Sequence, residues 1–556
     1  MGTVYAVPTH ITFRHCIVPM AKELFHGTAE AAIGDFRLQL QGGKRPLVVF
    51  VHPPKSLKPW VAKGNEQEIE IQGIEIFDGA GPLLPFVKIS GSADFEEDNN
   101  YSPRGGFTPL AFSLLGTILK RAGFEFTILE LSHASNPLHV IEELKHRLEA
   151  ENYAVIWGFT ATSPSNFAAM ELARVVNDRA SIVLFGGVHA TVAHEYAIRN
   201  CPQLDFVFVG EAEESLPKLL DFIVFGRGSL ELILGITYRC KKGIVFGQRE
   251  RWPGPKIGFS NFEFLSFDRF PDIWGDERVF RVQSARGCNY SCSFCAQAIQ
   301  LQESSLERII EYFTYLSEKS GSKMLNIFFE DATFTSNKKR AFEFCRRLAE
   351  LECKKGISIS WGCQTRADCL DAELINEIAV AGCRYVYLGI EAMNRGSLVY
   401  VGKGLNFAGY ASPIHRMEET LRLLRQEGIL IGCSVIVGLP TDTAESLSFT
   451  VSRLKDFCVH MIFLESVKVF PQTMLAAAIA KGSGTAKESV ISKYYSELAA
   501  DSLNPEDWNC LLLCPVEKMN SLYEVVENEL NGRYSKLSAG LYVMPQNRIS
   551  EKAENI

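Results

Sequence analysis

"RVFRVQSARGCNYSCSFCAQ", residues 278–297, runs a strand-like segment into a loop that carries Cys288, Cys292 and Cys295. Zinc sites normally close with four ligands, usually as two short pairs. Here the spacing is C-x3-C-x2-C, with no fourth cysteine or histidine beside it. A cubane iron–sulfur cluster held by three thiolates leaves one iron with an open position, which a small chelating molecule can fill. Gly287 loosens the entry to the loop, and Asn289, Tyr290 and Ser291 make it polar. A strand that ends in such a loop places the triplet at the C-terminal end of a first β-strand, where barrel active sites are built.

Working downstream, "KMLNIFFEDATF" (323–334) reads as a buried strand ending in Glu330 and Asp331. "ISISWGCQTRAD" (357–368) alternates like a strand and ends near Gln364 and Arg366, and "CRYVYLGIEAMN" (383–394) ends at Glu391. "LIGCSVIVGLP" (430–440) and "MIFLESVKVFP" (461–471) follow. Helical patterns such as "NKKRAFEFCRRLAEL" and "DAELINEIAVAG" lie between them. Strand and helix alternate about six times, the pattern of a parallel α/β barrel of six units.

Upstream, "RPLVVFVHPP" (45–54) is an apolar run of strand length closed by prolines. "YAVIWGFTATSPSN" (153–166), "SIVLFGGVHAT" (181–191) and "LDFVFVGEAEES" (204–215) repeat one design: an apolar strand, a small or polar loop, then a helix. That predicts a doubly wound parallel sheet, which binds ligands at the carboxyl ends of its strands. Small residues in "TATS" and "GGVHAT" let a large flat molecule approach the backbone. A nicotinamide site would need G-x-G-x-x-G after the first strand, and "VHPPKSLKP" does not offer it.

Composition bounds the reading. With 47% apolar and 22% charged residues the chain has a globular composition, and its net charge of −8 comes without any basic block to engage nucleic acid. No run approaches the roughly 18 apolar residues of a membrane span, and the N-terminus lacks the order of a signal peptide, so a cytoplasmic location is expected. Fifteen cysteines without an export signal read as thiols or metal ligands rather than a disulfide framework. Cys345, Cys353, Cys363, Cys369 and Cys383, and Cys510 and Cys514 in "NCLLLCP", read as core residues; His10, His15 and Cys16 have no metal-like spacing.

The cysteine loop, with Phe294 just before its last thiol, resembles the signature of radical S-adenosylmethionine (SAM) enzymes. The order of "GFTATSPSN", "VLFGGVHAT" and "FVFVGEAEES" ahead of it resembles the cobalamin-binding domain found before many such barrels. The joint resemblance implies an α/β chain of five parts. These are an N-terminal extension (1–45), a Rossmann-like cobalamin-binding domain (46–250), a linker (251–275), a partial (β/α)6 radical SAM barrel (276–475) and a mainly helical C-terminal region (476–556) that caps the barrel mouth and helps choose the substrate.

By that resemblance Cys288, Cys292 and Cys295 hold a 4Fe-4S cluster whose open iron binds SAM. Glu330 and Asp331 hold the methionine end of SAM, Gln364 and Arg366 its carboxylate, Glu391 the ribose, and the backbone at Phe294 the adenine. Thr160, Thr162, Ser163, Gly186, Gly187, His189, Gly210, Glu211 and Glu213 lie near the corrin. His52 stands before two prolines and lacks the D-x-H-x-x-G context of a cobalt-ligating histidine, so cobalamin is expected without a histidine ligand. The implied activity is methyl transfer from SAM, through methylcobalamin, to an unactivated carbon of a small-molecule or peptide substrate. An electron donor of the flavodoxin or ferredoxin type would supply reducing equivalents. Cyclisation or rearrangement without methyl transfer is the alternative enzyme, and a cobalamin sensor or carrier with an inactive barrel is the alternative class.

Overall fold

The protein is described here from a computed structural model, over residues 27–53, 70–71, 89–90, 110–131, 136–162, 165–178, 181–248, 259, 267–296, 300–403, 412–467, 470, 473–475, 516–531, 533–538 and 541–544. Ser163, His10, His15, Cys16, Cys510, Cys514 and most of the expected linker lie outside the described residues.

The apolar runs of the first half become the strands β1 (Arg45–His52), β2 (Phe126–Glu130), β3 (Tyr153–Thr160), β4 (Ile182–Gly186) and β5 (Phe206–Phe208). They pair in parallel in the order β2-β1-β3-β4-β5. β6 (Ile236–Cys240) and β7 (Gly243–Val245) extend the same sheet antiparallel to it. Helices cover both faces, which is why β3 is buried from Tyr153 through Phe159 and reads as a continuous apolar run rather than an alternating one. On one face Leu47, Val49, Val51 and Trp157 pack with Val140, Leu144 and Leu172, and on the other Val48, Phe50 and Ile156 pack with Phe36, Phe112 and Leu219. Strand order reverses between β1 and β3, the position at which doubly wound sheets open a ligand crevice.

The second sheet contains six strands parallel in sequence order: β9 (Gly275–Val282), β10 (Met324–Phe329), β11 (Ser358–Thr365), β12 (Cys383–Glu391), β13 (Leu430–Val437) and β14 (Met461–Ser466). β8 (Phe267–Phe270) lies antiparallel to β9 at one edge. Helix ends follow the local sequence. Ser305 and Asn337 cap the helices Leu306–Ser320 and Lys338–Lys355 by accepting from Arg308 N and Arg340 N, and both helices stop at glycines with positive φ, Gly321 and Gly356. An aromatic cluster of Phe313, Phe329, Phe334, Phe344 and Trp361 fills the space between these helices and β10 and β11, with Phe344 meeting Trp361 edge-to-face at 5.4 Å.

At the other edge the C-terminal residues add more than helix. The helix Val516–Leu530 packs beside Ala444–Asp456, where Ser448 donates to Glu529, and β15 (Ser535–Ser538) and β16 (Leu541–Val543) extend the sheet from β14. The described part of the tail therefore closes the sheet edge. Residues 476–515, on which the expected cap also falls, lie outside the described residues. Among the described residues no helix is long and apolar enough to cross a membrane.

Candidate active site

The cysteine loop leaves β9 at its carboxyl end and is gripped from several sides. Asp331, the second residue past β10, is 1% exposed and accepts from Ser284 N at 2.6 Å, Ala285 N at 3.0 Å and Ser284 Oγ. Its carboxylate is spent on the loop backbone, and burial raises its pKa to about 6 against the pull of those hydrogen bonds. This differs from the SAM contact expected of Asp331. Its neighbour Glu330 faces the other way, accepting from Arg281 Nε at 2.8 Å and from Gln364 Nε2 at 3.5 Å.

Cys288 and Cys292 are half-buried, Cys295 is exposed, and none of the three is in a disulfide. Cys288 Sγ lies 3.5 Å from Thr333 Oγ1. Cys292 Sγ accepts from Arg366 Nη1 at 3.3 Å. Burial raises the Cys292 pKa, while the Lys403 and Arg366 cations pull it back. Arg366 is fixed in turn: its fork engages both oxygens of Asp368 at 2.8 Å, and its guanidinium lies 4.1 Å above the Tyr290 ring. The Tyr290 hydroxyl meets Cys369 Sγ at 2.8 Å, which ties the loop to the segment after β11.

The loop after β12 supplies a third support. Ser293 N donates to Val401 O at 3.0 Å, and Ser293 Oγ donates to Tyr400 O at 2.9 Å. Gly402, at φ +72°, passes so close that an added Cβ would stand 3.2 Å from Ser291 O. Just beyond it Lys403, 7% exposed, donates to Gly389 O at 2.9 Å and to Glu391 Oε1 at 2.7 Å. Glu391 holds the left-handed backbone at φ +64°, unusual for a residue with a side chain, and Ser434 Oγ donates to its other oxygen at 3.1 Å. Phe294 packs against the apolar group of Val401, Ile436, Leu439, Val467 and Leu475. Glu330, Gln364, Arg366 and Glu391 therefore lie at the carboxyl ends of the strands, with Arg366 in contact with the cysteine loop.

Sequence reasoning missed Lys403, Thr333, Ser434 and Asp368. For Lys403 a signal exists, a lysine between two glycines in "VGKG"; the others look like ordinary loop polarity. Among the described residues no three His, Cys, Asp or Glu side chains converge closely enough for a single metal ion. The donor set that fits a multi-iron cluster is the trio of uncrosslinked thiols on this one loop.

At the first sheet, the carboxyl-end residues Thr160, Gly186, Gly187 and Gly210 lie together on neighbouring strands and loops. Gly187 has φ +95°, and a Cβ there would stand 2.8 Å from Thr160 Oγ1 and from Ala161 O. Thr162 is tied to Ser165 Oγ by its amide at 3.1 Å. His189 is 1% exposed, and burial lowers its pKa to about 4, so a neutral ring lies inside the loop rather than on an open rim. Asn166 and Ser215 are both buried at the starts of the helices that follow β3 and β5, and among the described residues the Asn166 amide and the Ser215 hydroxyl have no hydrogen-bond partner. Orphaned polar groups at strand ends fit a bulky ligand with a polar rim, as cobalamin is. Glu211 and Glu213 both form ion pairs with Arg286 of the cysteine loop, and among the described residues the buried Glu211 carboxylate has no well-aligned hydrogen bond. His52 Nδ1 pairs with Glu130 Oε2 at 2.7 Å.

Comparison with known proteins follows the same division. The family model described as the radical SAM superfamily matches residues 282–454, and that of the B12 binding domain matches residues 101–220. An uncharacterized methyltransferase of Pyrococcus horikoshii is 29% identical over 334 residues, 58% of this chain and 68% of the relative. The anaerobic magnesium-protoporphyrin IX monomethyl ester cyclase of Rubrivivax gelatinosus is 25% identical over 365 residues, 64% of this chain and 63% of the relative, so the match falls short of two thirds of that protein. Among solved structures, the radical SAM methyltransferase TsrM from Kitasatospora setae, bound to tryptophan and aza-SAM, shares the fold with a TM-score of 0.55 at 17% identity, over 91% of this chain and 87% of that one.

Proposed function

We propose, from the premise that the chain belongs to the cobalamin-dependent radical SAM enzymes, that it is a C-methyltransferase acting on an unactivated carbon of a small-molecule or peptide substrate. When bound, the cluster supplies the electron that cleaves SAM to a carbon radical and cobalamin supplies the methyl group, so the cofactors carry the difficult chemistry. The observation that supports this reading best is that three cysteines outside any disulfide, and two buried polar groups of the first sheet without a hydrogen-bond partner among the described residues, both lie at strand carboxyl ends, with Arg286 of the cysteine loop paired to Glu211 and Glu213 of the first sheet.

The chain's own residues then have defined tasks. Cys288, Cys292 and Cys295 would hold the cluster, with Arg366 and Lys403 offsetting thiolate charge. Glu330, Gln364, Arg366 and Glu391 offer donors and acceptors at four neighbouring positions for the polar ends of SAM. Phe294 and its apolar neighbours would keep water from the far side of the loop, which protects a reactive carbon radical from quenching. Thr160, Thr162, Gly186, Gly187 and Gly210 would line the corrin, with Asn166 and Ser215 as further donors. Electrons would come from a flavodoxin- or ferredoxin-type protein.

The test is incubation of the anaerobically reconstituted protein with methyl-deuterated SAM and cell extract. The expected products are a trideuteromethylated compound, S-adenosylhomocysteine and 5′-deoxyadenosine. Replacing Cys288, Cys292 and Cys295 with alanine should abolish deoxyadenosine, and its persistence would refute the assignment. The named cyclase relatives favour a second reading, ring formation without methyl gain. A product that lacks the deuterated methyl group would select it.

A further inference from the structure

Arg286 is two residues ahead of Cys288, on a two-residue strand whose partner is Gln302–Glu303. Its Nη1 lies 3.1 Å from Glu211 Oε1 and 2.5 Å from Glu213 Oε1, while Nε donates to Gln283 Oε1 at 3.1 Å. All three charged side chains are largely buried, between 11% and 16% exposed. Both glutamates belong to the loop that follows β5, and the backbone there is itself held: Gly210, at φ +97°, donates its amide to Thr191 Oγ1 at 3.0 Å. On the barrel side Asp331 grips Ser284 and Ala285, the residues just before Arg286. The carboxyl end of one sheet is thus bolted to the carboxyl end of the other through one guanidinium, at the base of the cysteine loop.

One carboxylate would neutralise one arginine. A second, buried on the same cation, carries an uncompensated charge, an arrangement a purely adhesive contact between domains would not need. What the arrangement adds is direction: Nη1 is drawn to two carboxylates while Nε donates to Gln283, and contacts at two separate nitrogens of a planar group leave it one orientation. We propose that Arg286 is a positioning residue that sets the separation and orientation of the cluster loop relative to the corrin-binding edge of the first sheet, so that radical formation and methyl delivery meet at one substrate. This rests on the functional reading above, and Arg286 itself touches no reacting atom in it.

The test uses the full chain under anaerobic conditions, as R286Q, E211Q/E213Q, their triple combination and R286K. In the protein without cofactors, amide hydrogen exchange in segments 209–214 and 284–290 should accelerate together in R286Q, on the order of tenfold, with helix 338–355 unchanged; the triple variant should add little, as coupled residues do. R286K, which keeps the charge but loses the planar guanidinium and its Nε contact to Gln283, should restore protection in part. With cluster and hydroxocobalamin loaded, the cob(II)alamin electron spin should relax faster beside the reduced cluster in the wild type than in R286Q, and R286Q should raise the ratio of 5′-deoxyadenosine to S-adenosylhomocysteine. Exchange confined to one segment, or spin relaxation equal in wild type and R286Q, overturns the inference. If R286Q does not fold, E211Q/E213Q and R286K decide by the same two readouts. Failure of the wild type to bind cobalamin would sink the functional reading instead, while the exchange data would still judge the bridge.

Discussion

Gly187→Ala tests how the first sheet builds its ligand edge. Gly187 combines φ +95° with ψ −176°, a region that only glycine occupies readily, and costs about 1–3 kcal/mol for any other residue. A methyl group there would also meet Thr160 Oγ1 at 2.8 Å, a side-chain atom, and Ala161 O at 2.8 Å and Ala161 N at 2.9 Å, backbone atoms that cannot swing aside. Overpacking of this kind costs about 1–3 kcal/mol more. The sum, roughly 2–6 kcal/mol, is large beside the 5–15 kcal/mol by which domains are stable. Gly123→Ala is the control: its φ is +81°, yet nothing lies within 4 Å of the added atom, so only the backbone term of about 1–2 kcal/mol applies. Chemical denaturation of the cofactor-free protein, followed by fluorescence, gives both values, and hydroxocobalamin titration of whichever variants remain folded gives the functional consequence. G187A should lose more stability than G123A by at least about 1 kcal/mol and bind cobalamin more weakly. Equal losses would mean that the crossing of the 160–161 and 186–187 backbones is not the tight contact described.

Three other outcomes are expected. Lys403→Met leaves the Glu391 carboxylate buried with Ser434 as its remaining donor and should cost about 3–5 kcal/mol, most of it recovered in K403M/E391Q; denaturation of the four proteins of the cycle checks this. Asp331→Ala removes the acceptor of the buried Ser284 and Ala285 amides, about 1–3 kcal/mol each, and should lower the iron retained per chain after reconstitution. Burial depresses His189 and His460 to about 4 from an ordinary 6.5, so between those values the unfolded chain binds more protons and stability falls as pH falls, by about 3 kcal/mol for each ring. Asp331, raised to about 6, opposes this between pH 6 and 3.8 by a similar amount for one group, so the net slope is still toward acid instability. A denaturation midpoint flat from pH 7 to pH 5 would contradict the two buried imidazoles.

The strands were legible because the parallel sheets are covered on both faces: a run such as "AVIWGF", short, aromatic and followed by a polar loop, reads as a buried strand. The cysteine triplet was legible because its ligand spacing is local. What depended on direction was not. Glu330 and Asp331 were read as one acidic pair, yet consecutive residues leaving a strand project to opposite sides, so one faces the strand ends and the other disappears beneath the loop. The resemblance to a cobalamin-binding domain implies Glu211 and Glu213 as corrin neighbours, and nothing in their own sequence announces an arginine from the second sheet. The strands Ser535–Ser538 and Leu541–Val543 are too short to show periodicity, and their partner β14 is distant in the chain.

The charge arrangement around the cysteine loop bears on what can bind there. Arg281 is matched by Glu330, Arg286 by Glu211 and Glu213, Arg366 by Asp368, and Lys403 by Glu391. A loop whose cations are already matched gains net negative charge if three thiols ionise, which a bare pocket of low polarity would resist. Two features lower that resistance. Arg366 already donates to Cys292 while holding Asp368, so one guanidinium serves both anions without moving. Lys403 carries three N–H donors and among the described residues uses two of them, on Gly389 O and Glu391, which leaves a third for an incoming anion. On the proposed reading the site is therefore strained electrostatically when its thiols are ionised and empty of iron, and relaxed when iron takes the thiolate charge. It follows that iron loading should protect the 284–296 loop from hydrogen exchange more than it protects any strand of either sheet.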